Sequence, residues 1–266
     1  MLYQGNNNLY VDPKQVGLAY EEVIFESQGL KLHGWYFTQT TLKPSKGVIL
    51  FFHGNAQNRS SHFLALRYLL EKGYDYFIFD YRGYADSEGK ASPENTVKDG
   101  LAALDVVTKR NPTLPVSFFG QSLGGAVAMR TLVEYKRVHG MFPDSVKLLV
   151  LDSTFLSYQK AAASILSKHA ITFLFQPLSV LISDTWAPVK VCDEFPRIPV
   201  LIFHGDQDQL FKETLGEEVY EAFRGPKRFV HVIGGHHTSA LYEQTEDYRN
   251  TMYLELERYL RSPDYL

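Results

Sequence analysis

The sequence predicts an α/β fold: a mostly parallel central sheet with helices on both faces, an antiparallel hairpin at its start and one helical insertion. Three observations predict it. Short apolar runs alternate with helical patterns over residues 47–151 and again over residues 199–260. One apolar run ends in Gly120-Gln121-Ser122-Leu123-Gly124 and passes at once into a small-residue helical stretch, the order of a nucleophile elbow. Between the two alternating blocks, residues 153–197 lose the strand–helix rhythm.

Composition agrees with a chain that buries a real core. Of the 266 residues, 45% are hydrophobic and 21% charged, ordinary values for a globular protein. The length suits one α/β domain spanning residues 1–266, with residues 153–197 inserted in it. A net charge of −3 without a Lys/Arg cluster gives nucleic-acid binding no electrostatic support. The single cysteine, Cys192, excludes an internal disulfide and a cysteine metal cage. Residues 1–8 carry neither the basic nor the apolar part of a signal peptide, and no apolar run reaches the ~18 residues of a membrane span. The default expectation is a cytoplasmic location, with any membrane anchor lying outside this sequence.

Residues 20–26 alternate, with Val23 and Phe25 on one face, and residues 30–37 follow after Gln28-Gly29, which reads as a hairpin. Residues 47–52 form a continuous apolar run, as a strand buried on both faces requires. Phe63, Leu66 and Leu70 share one face of a helix expected over residues 59–72 and stopped by Gly73. Residues 74–80 are the next strand. Ser92 and Pro93 then open a helix with an N-cap and a proline in its first turn. The elbow strand and its helix follow, then a strand over residues 145–151. After the insertion come a strand at 199–203, a helix at 213–223, a strand at 227–233 and a last helix at 246–260.

The elbow carries chemistry because a serine on a sharp turn points away from the sheet edge, with a helix N-terminus behind it to favour developing negative charge. Serine needs a base, and the base needs an orienting carboxylate. Such groups gather at the carboxyl ends of parallel strands. There, Asp206 and Asp208 both follow the 199–203 strand, and Asp152 ends the strand before the insertion. Two histidines, His236 and His237, follow Gly234-Gly235 after the last strand. Spacing separates neither the aspartates nor the histidines. The backbone N–H of Leu123 and that of Asn55, in the loop His53-Gly54-Asn55-Ala56, are the candidate oxyanion donors. His53 is expected to order that loop, and Arg82 to tie the 80–89 loop to its surroundings.

Across residues 20–259 the chain resembles the α/β-hydrolase superfamily, and more narrowly the α/β-hydrolase-domain proteins that include acyl-protein thioesterases. The resemblance rests on Phe52-His53-Gly54-Asn55-Ala56, on residues 80–89, on Gly120-Gln121-Ser122-Leu123-Gly124-Gly125, on His204-Gly205-Asp206-Gln207-Asp208 and on Gly234-Gly235-His236. It implies an α/β-hydrolase fold and a serine hydrolase acting on esters or thioesters, with Ser122 as nucleophile, Asp208 as acid and His236 as base. It implies no metal or organic cofactor, and a small-molecule or acylated substrate. Amidase, peptidase or lipase activity on the same residues, or a non-catalytic binder, are the alternatives. Ala85 departs from the family, which usually has glycine there. The insertion is expected to act as a cap. Its span 169–183 lacks Asp, Glu, Lys and Arg and is crowded with Ile171, Phe173, Leu174, Phe175, Leu178, Val180, Leu181 and Ile182. Those residues are expected to pack down as a lid, to line a pocket for an apolar acyl group, or to face lipid.

Overall fold

The computed structural model describes residues 3–41, 43–168, 170–242 and 246–260. A short strand β1 (Gln4–Gly5) leads into the hairpin β2 (Glu21–Ser27) and β3 (Leu30–Phe37). Gln28 and Gly29 both take positive φ, 51° and 80°, as a two-residue I′ turn demands. Next come β4 (Val48–Phe52), β5 (Ala56–Gln57), α1 (Arg59–His62) and β6 (Asp75–Phe79). Then follow α2 (Pro93–Arg110), β7 (Val116–Gln121), α3 (Leu123–His139) and β8 (Val146–Asp152). Beyond the inserted segment, which holds α4 (Tyr158–Leu166) and α5 (Ala170–Phe173), the chain resumes with β9 (Val200–Gly205), α6 (Glu213–Ala222), β10 (Lys227–Val232) and α7 (Glu246–Leu260).

Eight strands form one sheet in the order β10-β9-β8-β7-β4-β6-β3-β2. The six from β10 to β6 in that order run parallel, and β3 pairs antiparallel with both β2 and β6. This is the α/β-hydrolase architecture expected from the sequence. Because side chains alternate across a strand, the apolar runs feed two cores. Val48, Leu50 and Phe52 of β4 enter the core beneath α2, α3 and α6. Ile49 and Phe51 enter the opposite core, beneath residues 63–70 and α7. All five are fully buried, and each such side chain contributes about 1.5–3 kcal/mol. The sheet order leaves the carboxyl ends of β4, β7, β8 and β9 side by side, and the site is built there.

Two expectations change in detail. The helix expected over residues 59–72 is only the short α1, followed by a 3-10 run, Phe63–Leu69. The Tyr242 and Tyr76 hydroxyls donate to the carbonyls of His62 and Phe63, which a regular α-helix would use for its own ladder. The insertion is helical but fragmented, with 3-10 turns at Gln176–Leu181, Pro188–Lys190 and Cys192–Glu194. Phe173, Leu174, Phe175, Leu178, Val180 and Leu181 stay between 51% and 78% exposed, so these six do not pack down as a lid. The side chain of Ile171 lies outside the described residues. Ala85 stands in the left-handed region at φ 45°, a conformation that glycine adopts at no steric cost.

Candidate active site

Ser122 sits between β7 and α3 with φ 52° and ψ −119°. That conformation is disfavoured for a residue with a Cβ, and the surroundings hold it in place. The Ser122 N–H donates to the Asp152 carbonyl at 2.8 Å, and its carbonyl accepts from Thr154 Oγ1 at 2.7 Å and from the Gly125 N–H at 3.1 Å. Tight approach behind the turn explains the glycines. A Cβ on Gly120 would lie 2.5 Å from Gly125 Cα, and one on Gly124 would lie 2.0 Å from the Phe52 carbonyl oxygen.

The acid loop after β9 places Asp208 under the serine, with its side chain fully buried. Its Oδ1 accepts from the N–H groups of Leu210 at 2.7 Å and Phe211 at 2.9 Å. Its Oδ2 accepts from His237 Nδ1 at 2.8 Å. Burial pushes the Asp208 carboxyl upward, but the bond and charge of His237 and the Phe211 N–H outweigh it, leaving its pKa below the ordinary carboxylate range. Asp208 is therefore ionised and fixes the His237 proton on Nδ1. His237 Nε2 is left facing Ser122 Oγ at 3.0 Å, where it accepts the hydroxyl proton. Phe211 braces the imidazole edge-on at 5.1 Å between ring centres.

The structure brings His237, and not the expected His236, within hydrogen-bond reach of both Ser122 and Asp208. After β10 the Gly235 N–H returns to the Val232 carbonyl at 2.9 Å, while the Gly235 carbonyl accepts from the Gln207 N–H at 3.0 Å. This turn sends His236 outward, where it is exposed and its Nδ1 donates to the Gln207 carbonyl at 3.3 Å. The next side chain then points inward. Asp206 is also outside the chain of bonds, since its Oδ1 accepts from the Gly234 N–H at 2.7 Å and braces the turn. Asp152 accepts from Gln121 Nε2 at 3.2 Å and Ser153 Oγ at 3.3 Å instead of His237.

The loop carrying Asn55 lies against the serine: a Cβ on Gly54 would stand 3.6 Å from Ser122 Cβ. His53 orders this loop as expected, donating from Nδ1 to the Gly54 carbonyl at 2.7 Å. Tyr81 OH donates to the His53 carbonyl at 3.1 Å, and Tyr84 OH to Asn55 Oδ1 at 3.1 Å. Arg59 and Asp80 form a buried ion pair beneath it. Arg82 is committed to Asp99, with 2.6 Å from its terminal nitrogen to Oδ1, and so braces the 80–89 loop. Sequence reasoning missed His62, whose Nε2 lies 3.0 Å from the Ala56 carbonyl and whose Nδ1 lies 3.3 Å from Gln121 Oε1. Burial drives its pKa down to about 4, so the ring is neutral at pH 7. Nothing in the local pattern distinguishes His62 from any other polar residue on a short helix.

Asp152 gives a pH test of these surroundings. Burial raises its carboxyl from 3.8 to about 6, against the Gln121 bond and the His237 charge. Unfolded, the group ionises near its ordinary value; folded, it keeps its proton to higher pH. Between the two values the folded state binds more protons, so this group makes stability fall as pH rises through that window. At pH 8 the ionised buried group costs about 3 kcal/mol. Asp152→Asn is therefore expected to gain stability over the wild type at pH 8 and little at pH 4, as read by urea melts. An equal difference at both pH values would contradict the burial argument.

A cavity of about 360 Å³ is lined by residues including Val97, Leu101 and Trp186 and by none of Ser122, Asp208 or His237. The hydrogen-bonded chain from Ser122 to Asp208 lies apart from that cavity's lining.

Comparisons with known proteins agree with this fold. The family model described as serine aminopeptidase, S33, matches residues 43–186. The YfhR protein of Salmonella typhimurium is 31% identical over 228 residues, covering 83% of this chain and 75% of that protein. The α/β hydrolase domain-containing protein WAV2 of Arabidopsis thaliana is 31% identical over 263 residues, covering 94% of this chain and 82% of that protein. Among solved structures, the esterase Pf2001 of Pyrococcus furiosus superposes with a TM-score of 0.77, covering 98% of this chain and 99% of that one. At 20% identity that last likeness is one of fold.

Proposed function

We propose, from the premise that this chain belongs to the α/β-hydrolase superfamily and is a hydrolase, that it cleaves carboxylic esters or thioesters through a serine-bound acyl intermediate. The observation that carries the reading is the continuous chain Ser122 Oγ, His237, Asp208, with links of 3.0 and 2.8 Å. Ser122 Oγ attacks the substrate carbonyl carbon while His237 Nε2 takes the hydroxyl proton. Asp208 holds the tautomer and stabilises the imidazolium that forms. The oxyanion is received by the N–H groups of Leu123 and Asn55, each worth roughly 3–4 kcal/mol in the transition state. His237 then hands its proton to the leaving alcohol or thiol. A water deprotonated by the same nitrogen releases the acid and regenerates Ser122. No metal or organic cofactor enters these steps.

The charge-free, apolar composition of residues 169–183 favours an apolar acyl group. Hydrolysis of p-nitrophenyl esters from acetyl to palmitoyl, with Ser122→Ala in parallel, tests the reading. Turnover by the wild type is expected to fall by roughly 10⁴–10⁶-fold in the variant. Activity in Ser122→Ala within tenfold of the wild type would sink the serine mechanism. The matched family's description favours a second reading, amide hydrolysis, which p-nitroanilides of amino acids test in the same assay.

A further inference from the structure

Lys168 is the one charged residue at the start of the charge-free span, and its surroundings are unusual. Its Nζ is shut off from solvent and has no hydrogen-bond partner among the described residues. An ammonium in that state is costly unless a counter-charge arrives. Its placement is set by α4. Ser164 Oγ donates to the Leu210 carbonyl at 2.8 Å, so that face of α4 lies on the acid loop. The same loop is held by Phe211, which packs edge-on against Phe155 just before α4, with ring centres 5.0 Å apart. Ser167 keeps helical dihedrals, φ −72° and ψ −8°. Lys168, four residues beyond Ser164, therefore returns to the face that looks on the acid loop. It feels the Asp208 carboxylate electrostatically, and burial nevertheless pulls its pKa below the ordinary lysine range. Asp208 is not its partner, since no hydrogen bond or ion pair joins the two among the described residues. Just beyond Lys168 stand the exposed Phe173, Leu174 and Phe175.

We propose that Lys168 is a specificity-determining residue whose ammonium receives a carboxylate or phosphate carried by an otherwise apolar ester, so that the substrate class is the anionic amphiphile. This rests on the hydrolase reading above and adds the charge of the substrate to it. Apolar side chains beside a single desolvated cation suit a molecule with an alkyl part and one anionic group. A neutral ester would leave the ammonium unpaired in the complex.

Two substrate pairs locate the anion. Mono-4-nitrophenyl glutarate against 4-nitrophenyl pentanoate places a carboxylate on the acyl side. An acylated glycerol 3-phosphate against the matching monoacylglycerol places a phosphate on the alcohol side. In at least one pair the wild type is expected to prefer the anionic member in kcat/KM, mainly through KM. Lys168→Met is expected to lower that preference by about 10- to 100-fold, the range of a charged hydrogen bond, and Lys168→Arg to keep most of it. Binding is read independently of turnover in the Ser122→Ala protein. There octyl phosphate, below its micelle threshold, is expected to raise the thermal midpoint more than octanol does, and the added Lys168→Met to remove that difference. A preference that Lys168→Met leaves intact, or no preference together with no octyl phosphate shift, overturns the assignment. Failure of every ester in the wild type overturns the hydrolase reading, while the octyl phosphate arm still decides Lys168.

Discussion

His237→Ala is expected to lose roughly 10⁴–10⁶-fold in kcat on any ester the protein turns over, while His236→Ala stays within a few-fold of the wild type. The two residues are chain neighbours of the same chemistry, so the comparison isolates position. His237 supplies the only imidazole nitrogen bonded to Ser122 Oγ among the described residues, at 3.0 Å, and its other nitrogen is anchored on Asp208 at 2.8 Å. Without that ring, Ser122 keeps its proton at neutral pH and attacks only as a weak alcohol. His236 contributes one exposed 3.3 Å bond to the Gln207 carbonyl. Its loss loosens the turn slightly and removes nothing from the reacting atoms. Steady-state kinetics on a p-nitrophenyl ester decide the matter: a large loss in His236→Ala with a small one in His237→Ala would reverse the assignment.

Gly124→Ala is expected to destabilise the protein by about 3 kcal/mol or more and to lower its thermal midpoint by roughly 6–12 °C. The added methyl would meet the Phe52 carbonyl oxygen at 2.0 Å and the His53 carbonyl oxygen at 2.5 Å. Both obstacles are backbone atoms at the end of β4, a fully buried strand bonded on each side to β6 and β7. Neither moves without shifting the sheet or pushing α3 away from it. Either adjustment also displaces the loop that holds Asn55, so residual activity falls with stability. A calorimetric midpoint within 2 °C of the wild type would show that the strand–helix contact has slack which the geometry does not suggest.

The parallel sheet, its hairpin and the serine turn were legible because each depends on neighbours in the chain. Runs such as residues 47–52 and 74–80 state their burial on both faces, and the Gly120–Gly124 spacing states a steric need of consecutive residues. The 3-10 run at residues 63–69 was not legible, since the tyrosines that draw off its carbonyls come from positions 76 and 242. Nor was the exposure of Phe173 to Phe175, because an apolar residue carries no mark of whether a neighbour covers it.

Taken alone, the sequence determined the α/β class, the strand and helix order, the identity of Ser122 and the narrowing of acid and base to a few positions. Local periodicity and local sterics reside in consecutive residues, so they can be read without coordinates. Tertiary structure decided which aspartate and which histidine join Ser122 in one chain of hydrogen bonds. Asp206 and Asp208 differ by two positions, and His236 and His237 by one, with no difference in side-chain chemistry. Only the bonds between the β9 and β10 loops, Gln207 N–H to the Gly235 carbonyl and Gly234 N–H to Asp206, fix which carboxylate and which ring turn toward Ser122.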